Sequence, residues 1–125
     1  MIGKIYKCFT PYYDSQKRAM SMKSRPALVL AKADADDYIV LPVSTITHKE
    51  NIDPYYDIEV DPALYPKLNF QKVSYIRTHK QTVVNRANLG DEISNLCKEY
   101  EDLYLEVLTK REEFSKNITE QALAK

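Results

Sequence analysis

The sequence lacks several features that mark particular classes of protein. Its 125 residues include no Trp, only two Gly and only two Cys, and its 18 basic and 18 acidic residues cancel. Cys8 and Cys97 are far apart, without a C-x-x-C motif or a His at ligand spacing, which argues against a zinc site and a disulfide framework. Because the chain is neutral overall, any nucleic-acid binding must come from an uneven distribution of charge.

The chain also lacks long apolar segments. Its N-terminus, Met1-Ile2-Gly3-Lys4, has no apolar signal segment, and no later stretch approaches membrane-spanning length. We therefore expect a cytoplasmic protein without a membrane partner. A chain of this length predicts one domain over residues 1–125 with a single core.

Two apolar runs predict a β-hairpin. Ser24–Leu30 and Ile39–Thr45 fold back on each other around the polar segment Ala33–Asp36. In that register Arg25 lies opposite Ser44, with Cβ atoms about 5 Å apart, so guanidinium and hydroxyl can serve one small polar or phosphorylated group. A slip of one residue would substitute Thr45 for Ser44.

The rest of the chain predicts further strands followed by a helix. Strands are expected from Gly3 to Thr10-Pro11 and over 55–60, 70–77 and 81–84, which is the density of a small antiparallel barrel over about residues 3–88. The polar stretch Tyr12–Ser24 is predicted to be a long loop that acts as a lid. A helical stripe of apolar residues predicts one long C-terminal helix over about 94–120, with Ser94 as its N-cap.

Five pieces of sequence, taken in order and spacing, resemble the MazF/PemK family of toxin-antitoxin ribonucleases. They are Ser24–Leu30, Ile39–Thr45, Asp57–Val60, Lys72–Thr78 and Asn88–Gly90. The resemblance covers most of the chain, from about Gly3 to about Leu108. It implies a mainly β fold with helices (α+β), a small antiparallel SH3-like β-barrel of five to seven strands with a long C-terminal helix. It also implies a homodimer that cleaves single-stranded RNA without a metal or other cofactor and is restrained by a cognate antitoxin.

The resemblance also assigns functional residues. The family's catalytic arginine matches Arg25 and its catalytic threonine matches Ser44, with Thr45 as a reserve donor. Cleavage of this kind uses the ribose 2′-hydroxyl as nucleophile on its own phosphate, and Arg25 is suited to stabilising the pentavalent oxyanion. The residues predicted to bind RNA are Ser15, Gln16, Lys23, His48, Lys72, Arg77 and His79.

Two departures from the family pattern bear on activity and base preference. The first long loop reads Asp14-Ser15-Gln16-Lys17 without the family's glycine. The pair Ser74-Tyr75 stands where an acidic residue and Gln usually precede the isoleucine-arginine-threonine piece, so a carboxylate that assists proton transfer in some members is missing. His48 and His79 are the candidates to replace it.

Each candidate residue also has a purely structural interpretation. Arg25 can be a strand-start arginine paired with Asp14, and Ser44 a strand-end hydroxyl bonded to the backbone. The histidines can be solvated loop residues. The basic run interleaved with Tyr75 can be a solvated strand face; it comprises Lys72, Arg77, Lys80 and Arg86.

Two other functions compete with the ribonuclease. The first is a non-catalytic module that binds RNA or protein with the same barrel, as expected if the loss of the acidic residue near Ser74 abolished turnover. The second is a gyrase poison similar to CcdB. That family ends in a short tryptophan-containing tail, and this chain has no Trp.

Overall fold

A computed structural model describes all residues, Met1–Lys125. Seven strands precede two helices. In chain order they are β1 (Ile5–Asp14), β2 (Ala19–Lys32), β3 (Asp37–Ser44), β4 (Asp57–Val60), β5 (Ser74–Arg77), β6 (Thr82–Asn85), β7 (Leu89–Ser94), α1 (Leu96–Glu99) and α2 (Glu101–Leu123). Single 3-10 turns lie at Lys49–Asn51, Pro66–Leu68 and Arg86–Asn88.

The strands form one antiparallel sheet in the order β4-β5-β3-β2-β1-β7. β3 makes it curl, because its first half pairs with β6 and its last two residues, Val43 and Ser44, pair with β5. The predicted fold class is confirmed as a mainly β protein, a curled half-barrel of strands with a long C-terminal helix. The sheet runs to Ser94, past the predicted barrel limit of residue 88.

The sheet is covered on both faces where β1, β2 and β3 meet. The larger core cluster, including Ile5, Leu28 and Leu41, packs against Leu103 and Val107 of α2. A smaller cluster on alternate strand residues comprises Cys8, Ala27, Val29, Tyr38 and Val40. Strands that pack on both faces hold their register firmly, because a slip of one residue would exchange the two sets of side chains.

Gly3 joins the start of the sheet to the helices. Its N–H donates to Val29 O at 2.8 Å, and its carbonyl accepts from Cys97 N of α1 at 3.0 Å. Its φ is +84°, and a Cβ on it would lie 2.7 Å from Cys97 Cβ. Only glycine fits this close approach, so the sequence has one of its two glycines where the chain needs it.

The predicted lid loop over Tyr12–Ser24 is wrong. β1 continues past Thr10-Pro11 to Asp14, and β2 begins at Ala19, so the segment forms a two-stranded arm with Tyr13 paired to Met20. The turn of the arm forms without glycine. Asp14 Oδ1 accepts hydrogen bonds from Gln16 N and Lys17 N, and Arg18 takes the positive φ of 51°. The arm lies beyond the core, so it has no buried face to show an alternating pattern.

The predicted C-terminal helix is present but is divided. Ser94 ends β7, and the N-cap is Asn95, whose side chain accepts from Lys98 N. Tyr100 leaves helical geometry with φ −142° and ψ 72°, which separates α1 from α2. Its hydroxyl accepts from Lys67 N at 3.0 Å and its ring packs on Tyr65, so a tertiary contact causes the break. Neither helix is long and apolar enough to span a membrane.

Candidate functional site

Two adjoining cavities form one open groove on the curled sheet. Their volumes are about 510 and 460 Å³, and both are lined by Arg25, Ser44 and Thr45. We call the first cavity the arm side, since it reaches Lys23 at the base of the arm, and the second the loop side, since it reaches His48 and Asn51. The three residues proposed from sequence as catalytic therefore lie at the junction of the two halves.

Strand pairing explains why these residues meet. The β2–β3 ladder pairs Ala27 with Pro42, and the same register continued by two residues aligns Arg25 with Ser44. The β2–β3 ladder ends at the Ala27–Pro42 pair, and Ser44 pairs with Tyr75 of β5 on the opposite edge of β3. β2 and β3 thus diverge where they reach the groove, and the space between them is open to solvent and to a ligand.

The groove is basic in a chain that is neutral overall. The cations on its lining are Lys23, Arg25, Lys72, Arg77 and Lys80, with no Asp or Glu on either half. Such a surface attracts anionic partners, whether they carry phosphate or carboxylate groups. The uneven distribution of charge that nucleic-acid binding requires is therefore present.

Arg25 and Ser44 carry no structural contacts that would occupy their polar atoms. Arg25 is exposed and makes no salt bridge or side-chain hydrogen bond, and Asp14, its expected partner, lies at the tip of the arm and bonds to the turn. The Ser44 hydroxyl makes no hydrogen bond to protein, although the residue is half-buried. Both functional groups are available to a ligand in the groove.

Arg77 lines the loop side but is held by the protein. Its Nε and Nη2 donate to the two carboxylate oxygens of Asp57 at 3.0 and 3.3 Å, and Nη2 also donates to Asn51 O at 3.1 Å. The Asp57 side chain is fully buried. The forked contact shapes the groove wall and largely neutralises the charge of Arg77.

The two histidines lie in different environments. His48 lines the loop side, with 73% of its side chain exposed and Nδ1 3.8 Å from Glu50 Oε1. His79 lines neither cavity, so the structure does not bring it to the groove, and its contact with RNA stays a prediction. Its ring lies between Tyr56 and Phe114, at 5.9 Å from each centroid, and burial lowers its pKa.

Of the other residues predicted to bind RNA, two line the groove and two do not. Lys23 and Lys72 line the arm side, and Lys23 Nζ also lies 4.5 Å from the Tyr12 ring centroid. Ser15 and Gln16 lie at the tip of the arm, away from both cavities. The expected lid loop is replaced by paired strands, which carry these residues away from both cavities.

Sequence reasoning missed several polar residues of the lining. On the arm side Asn69 and Gln71 follow a 3-10 turn, and Asn69 takes φ 62°. Ser74, at the position of the family's acid, lines the same half, and its hydroxyl donates to Lys72 O at 3.0 Å. The signal for Asn69 was available, since Asn is the side chain that best tolerates left-handed backbone after a turn.

No group of three or more His, Cys, Asp or Glu side chains in the structure is arranged to hold a metal ion. Two carboxylates near the groove, Asp53 and Asp57, are occupied, whereas Glu50 is exposed with Oε1 3.8 Å from Nδ1 of His48. Asp53 accepts from Tyr55 N and Tyr56 N, and these amides hold its pKa below the usual range. Asp57 binds Arg77, as described above.

Comparisons with known proteins return one family model and a set of solved structures. A family model described as the PemK-like, MazF-like toxin of type II toxin-antitoxin systems matches residues 3–110. Among solved structures, 29 chains match. One is the Mycobacterium tuberculosis toxin MazF-mt6, with 16% identity, a TM-score of 0.59, and coverage of 88% of this chain and 96% of that one. No curated protein matches by sequence.

Proposed function

Since this chain belongs to the family of PemK-like, MazF-like toxins of type II toxin-antitoxin systems, we propose that it is a metal-independent, sequence-selective endoribonuclease acting on single-stranded RNA. The observation that carries the proposal is the groove lining. Four further cations and no carboxylate line the groove around Arg25, Ser44 and Thr45, whose side-chain polar groups have no protein partners. A flexible polyanion is the ligand that such an open basic groove suits best.

The proposed reaction is a transesterification within the RNA chain that uses side chains of the groove and solvent water. The 2′-oxygen of a ribose attacks the adjacent phosphorus, the bond from phosphorus to the 5′-oxygen breaks, and the products carry a 2′,3′-cyclic phosphate and a 5′-hydroxyl. Arg25 stabilises the charge that develops on the phosphoryl oxygens, and Ser44 donates a hydrogen bond to one of them. His48, the one imidazole on the groove, accepts the 2′-hydroxyl proton, and solvent water protonates the leaving 5′-oxygen.

The family and the basic groove also bear on the protein partners of this chain. Membership of a type II toxin-antitoxin family implies an antitoxin protein. We propose that it supplies an extended acidic and aromatic segment, which orders on the basic groove near Arg25 and blocks RNA. We also propose that the toxin is a homodimer. Co-purification with the product of a neighbouring reading frame, followed by mass measurement of the free toxin and of the complex, tests both proposals.

A cleavage assay on long single-stranded RNA in EDTA tests the reaction. Wild type is expected to cleave at discrete sites and to leave 2′,3′-cyclic phosphate ends. Arg25→Ala is expected to lower the rate at least about a hundredfold, the usual effect of removing one oxyanion donor. Arg86→Ala is the matched control, because Arg86 is exposed and lies outside both cavities.

A non-catalytic RNA-binding module is the second candidate, and one observation favours it. The groove has no carboxylate, and His48 is largely exposed, so proton transfer depends on one solvated side chain. Binding of RNA without turnover at any pH would support this function and overturn the first. Equal cleavage by wild type and Arg25→Ala would also overturn the first.

A further inference from the structure

The C-terminal part of α2 packs against the back of the groove's loop side. Lys110 Nζ donates to Tyr55 O at 2.7 Å and lies 3.7 Å from the Tyr55 ring centroid, while the Tyr55 hydroxyl bonds to Glu113. Arg111 Nη1 donates to Gln81 Oε1 at 2.8 Å. The family match ends at residue 110, so the contacts of Arg111 and Glu113 come from the segment just beyond it.

An aromatic cluster of Tyr56, His79 and Phe114 forms the centre of this contact. The Phe114 ring lies 5.0 Å from the Tyr56 ring, edge to face, and 5.9 Å from the His79 ring. Asn117 Nδ2 adds a 3.4 Å hydrogen bond to the Tyr56 hydroxyl. Edge-to-face packing fixes ring orientation as well as distance, so Phe114 restrains both neighbours.

The aromatic cluster leads directly to the groove wall. His79 Nδ1 has no hydrogen-bond partner and lies 3.8 Å from Asp57 Oδ1, so the ring closes off one side of the buried carboxylate. Asp57 Oδ2 accepts from Asp53 N at 2.8 Å and also binds Arg77. Arg77 in turn holds the carbonyl of Asn51, which lines the loop side.

We propose that residues 110–117 of α2 position Arg77 and Asn51 on the groove wall, acting through the aromatic cluster and Asp57. The inference rests on the proposed function only for its consequence, that α2 sets how tightly RNA is held on the loop side. Burial lowers the pKa of His79, so the imidazole is neutral near pH 7. A neutral ring does not compete with Arg77 for the Asp57 carboxylate. Phe114, His79 and Asp57 are thus positioning residues that act on the groove without touching its ligand.

The Nε–H proton of Arg77 reports the contact without any RNA. Bonded to a buried carboxylate, it is expected to give a sharp, slowly exchanging signal in the nuclear magnetic resonance spectrum of the nitrogen-15-labelled full chain. Phe114→Ala is expected to speed that exchange at least about fivefold. Ile118→Ala is the control, since Ile118 lies on the same helix, is 52% exposed and is outside the cluster.

A second measurement follows binding of a 2′-O-methylated single-stranded oligonucleotide, which cannot be cleaved. Phe114→Ala is expected to weaken binding on the order of fivefold, and Ile118→Ala to leave it unchanged. If Phe114→Ala does not fold, Phe114→Leu and Asn117→Ala make the same comparison with smaller expected changes.

The two measurements separate the two proposals. An Arg77 Nε–H signal that exchanges equally slowly in wild type and in the Phe114 variant overturns the positioning role. Faster exchange together with unchanged RNA binding overturns the consequence for RNA. Absence of RNA binding by wild type overturns the proposed function, and the exchange comparison still decides whether α2 positions Arg77.

Discussion

The two arginines of the groove differ in what holds them. Arg25 is exposed, lies where β2 and β3 diverge, and has no partner in the protein. Arg77 has only 22% of its side chain exposed and is clamped by a fully buried carboxylate. Both side chains line the loop side of the same groove. Position in a groove is therefore a poor guide to role, whereas the partners of each charge separate the available cation from the structural one.

The physical basis of the difference is desolvation. A guanidinium in water keeps its hydration until a phosphate replaces it, so Arg25 can contribute its full charge to a ligand. A buried carboxylate without a counter-charge is costly, so Asp57 requires Arg77 whether or not a ligand is present. The loop side thus combines a structural ion pair with a surface that receives the ligand.

The largest expected effect is on stability. Arg77→Ala leaves the Asp57 carboxylate buried and unpaired, and is expected to lower the free energy of unfolding by about 3 kcal/mol. Arg25→Ala removes an exposed side chain without partners and is expected to change it by less than about 0.5 kcal/mol. Urea unfolding followed by circular dichroism checks both variants. Equal stabilities would remove the distinction between the two arginines.

The second prediction concerns the hydroxyl beside Arg25. Ser44→Ala is expected to slow RNA cleavage on the order of tenfold to a hundredfold, the value of one hydrogen bond to a charged oxygen. Ser44→Thr keeps the hydroxyl and serves as the control, with a rate near that of wild type. Thr45→Val tests the neighbouring hydroxyl, and a larger loss there than in Ser44→Ala would assign the donor to Thr45.

The sequence predicts the hairpin well because its apolar residues bury both faces. The turn falls between Lys32 and Asp37, as expected around Ala33–Asp36. The register agrees from Ala27 to Val29, and a bulge between Val29 and Ala31 shifts it by one residue nearer the turn. The part that agrees is the part that brings Arg25 and Ser44 to one groove. Alternation of buried side chains is a local signal, so it can be recognised without knowledge of the rest of the fold.

Features that depend on distant contacts were not predictable in this way. The arm projects beyond the core, where Tyr13 and Met20 are both more than 60% exposed, so its strands lack a buried face. The break at Tyr100 depends on Lys67 and Tyr65, and the burial of His79 depends on Phe114. These partners are far apart in sequence, and nothing in the local pattern identifies them.

The third prediction uses pH to probe the structural region. Burial is the main cause that lowers the pKa of His79; Arg77 and Lys80 lower it further, whereas Asp57 and Asp53 oppose the shift. A histidine with a depressed pKa in the folded state binds fewer protons than in the unfolded chain. Its contribution to stability is therefore complete above the unfolded value of about 6.5 and is lost as the pH falls through the folded value.

Unfolding in urea between pH 5 and 8 measures this contribution. Wild type is expected to lose stability below about pH 6.5, and His79→Phe, which cannot ionise, to lose less. His48→Gln is the control, because the exposed His48 side chain is outside the aromatic cluster. A pH profile that changes with His48 and not with His79 would contradict the burial of His79.

The smallest effects come from single cations, and salt dependence resolves them. Each phosphate neutralised on a single strand contributes about 0.7 to the slope of log affinity against log salt concentration. Lys72→Gln is therefore expected to reduce the slope for a 2′-O-methylated oligonucleotide by about 0.7, and Lys116→Gln, on the exposed face of α2, to leave it unchanged.

Arg77 contributes little to this slope while Asp57 neutralises it. Asp57→Asn should then raise the slope, since it frees the Arg77 charge for phosphate. A slope that stays the same or falls in Asp57→Asn would mean that the charge of Arg77 already contributes to RNA binding in the wild-type protein. Arg77 and Arg25 would then differ only in how their side chains are packed.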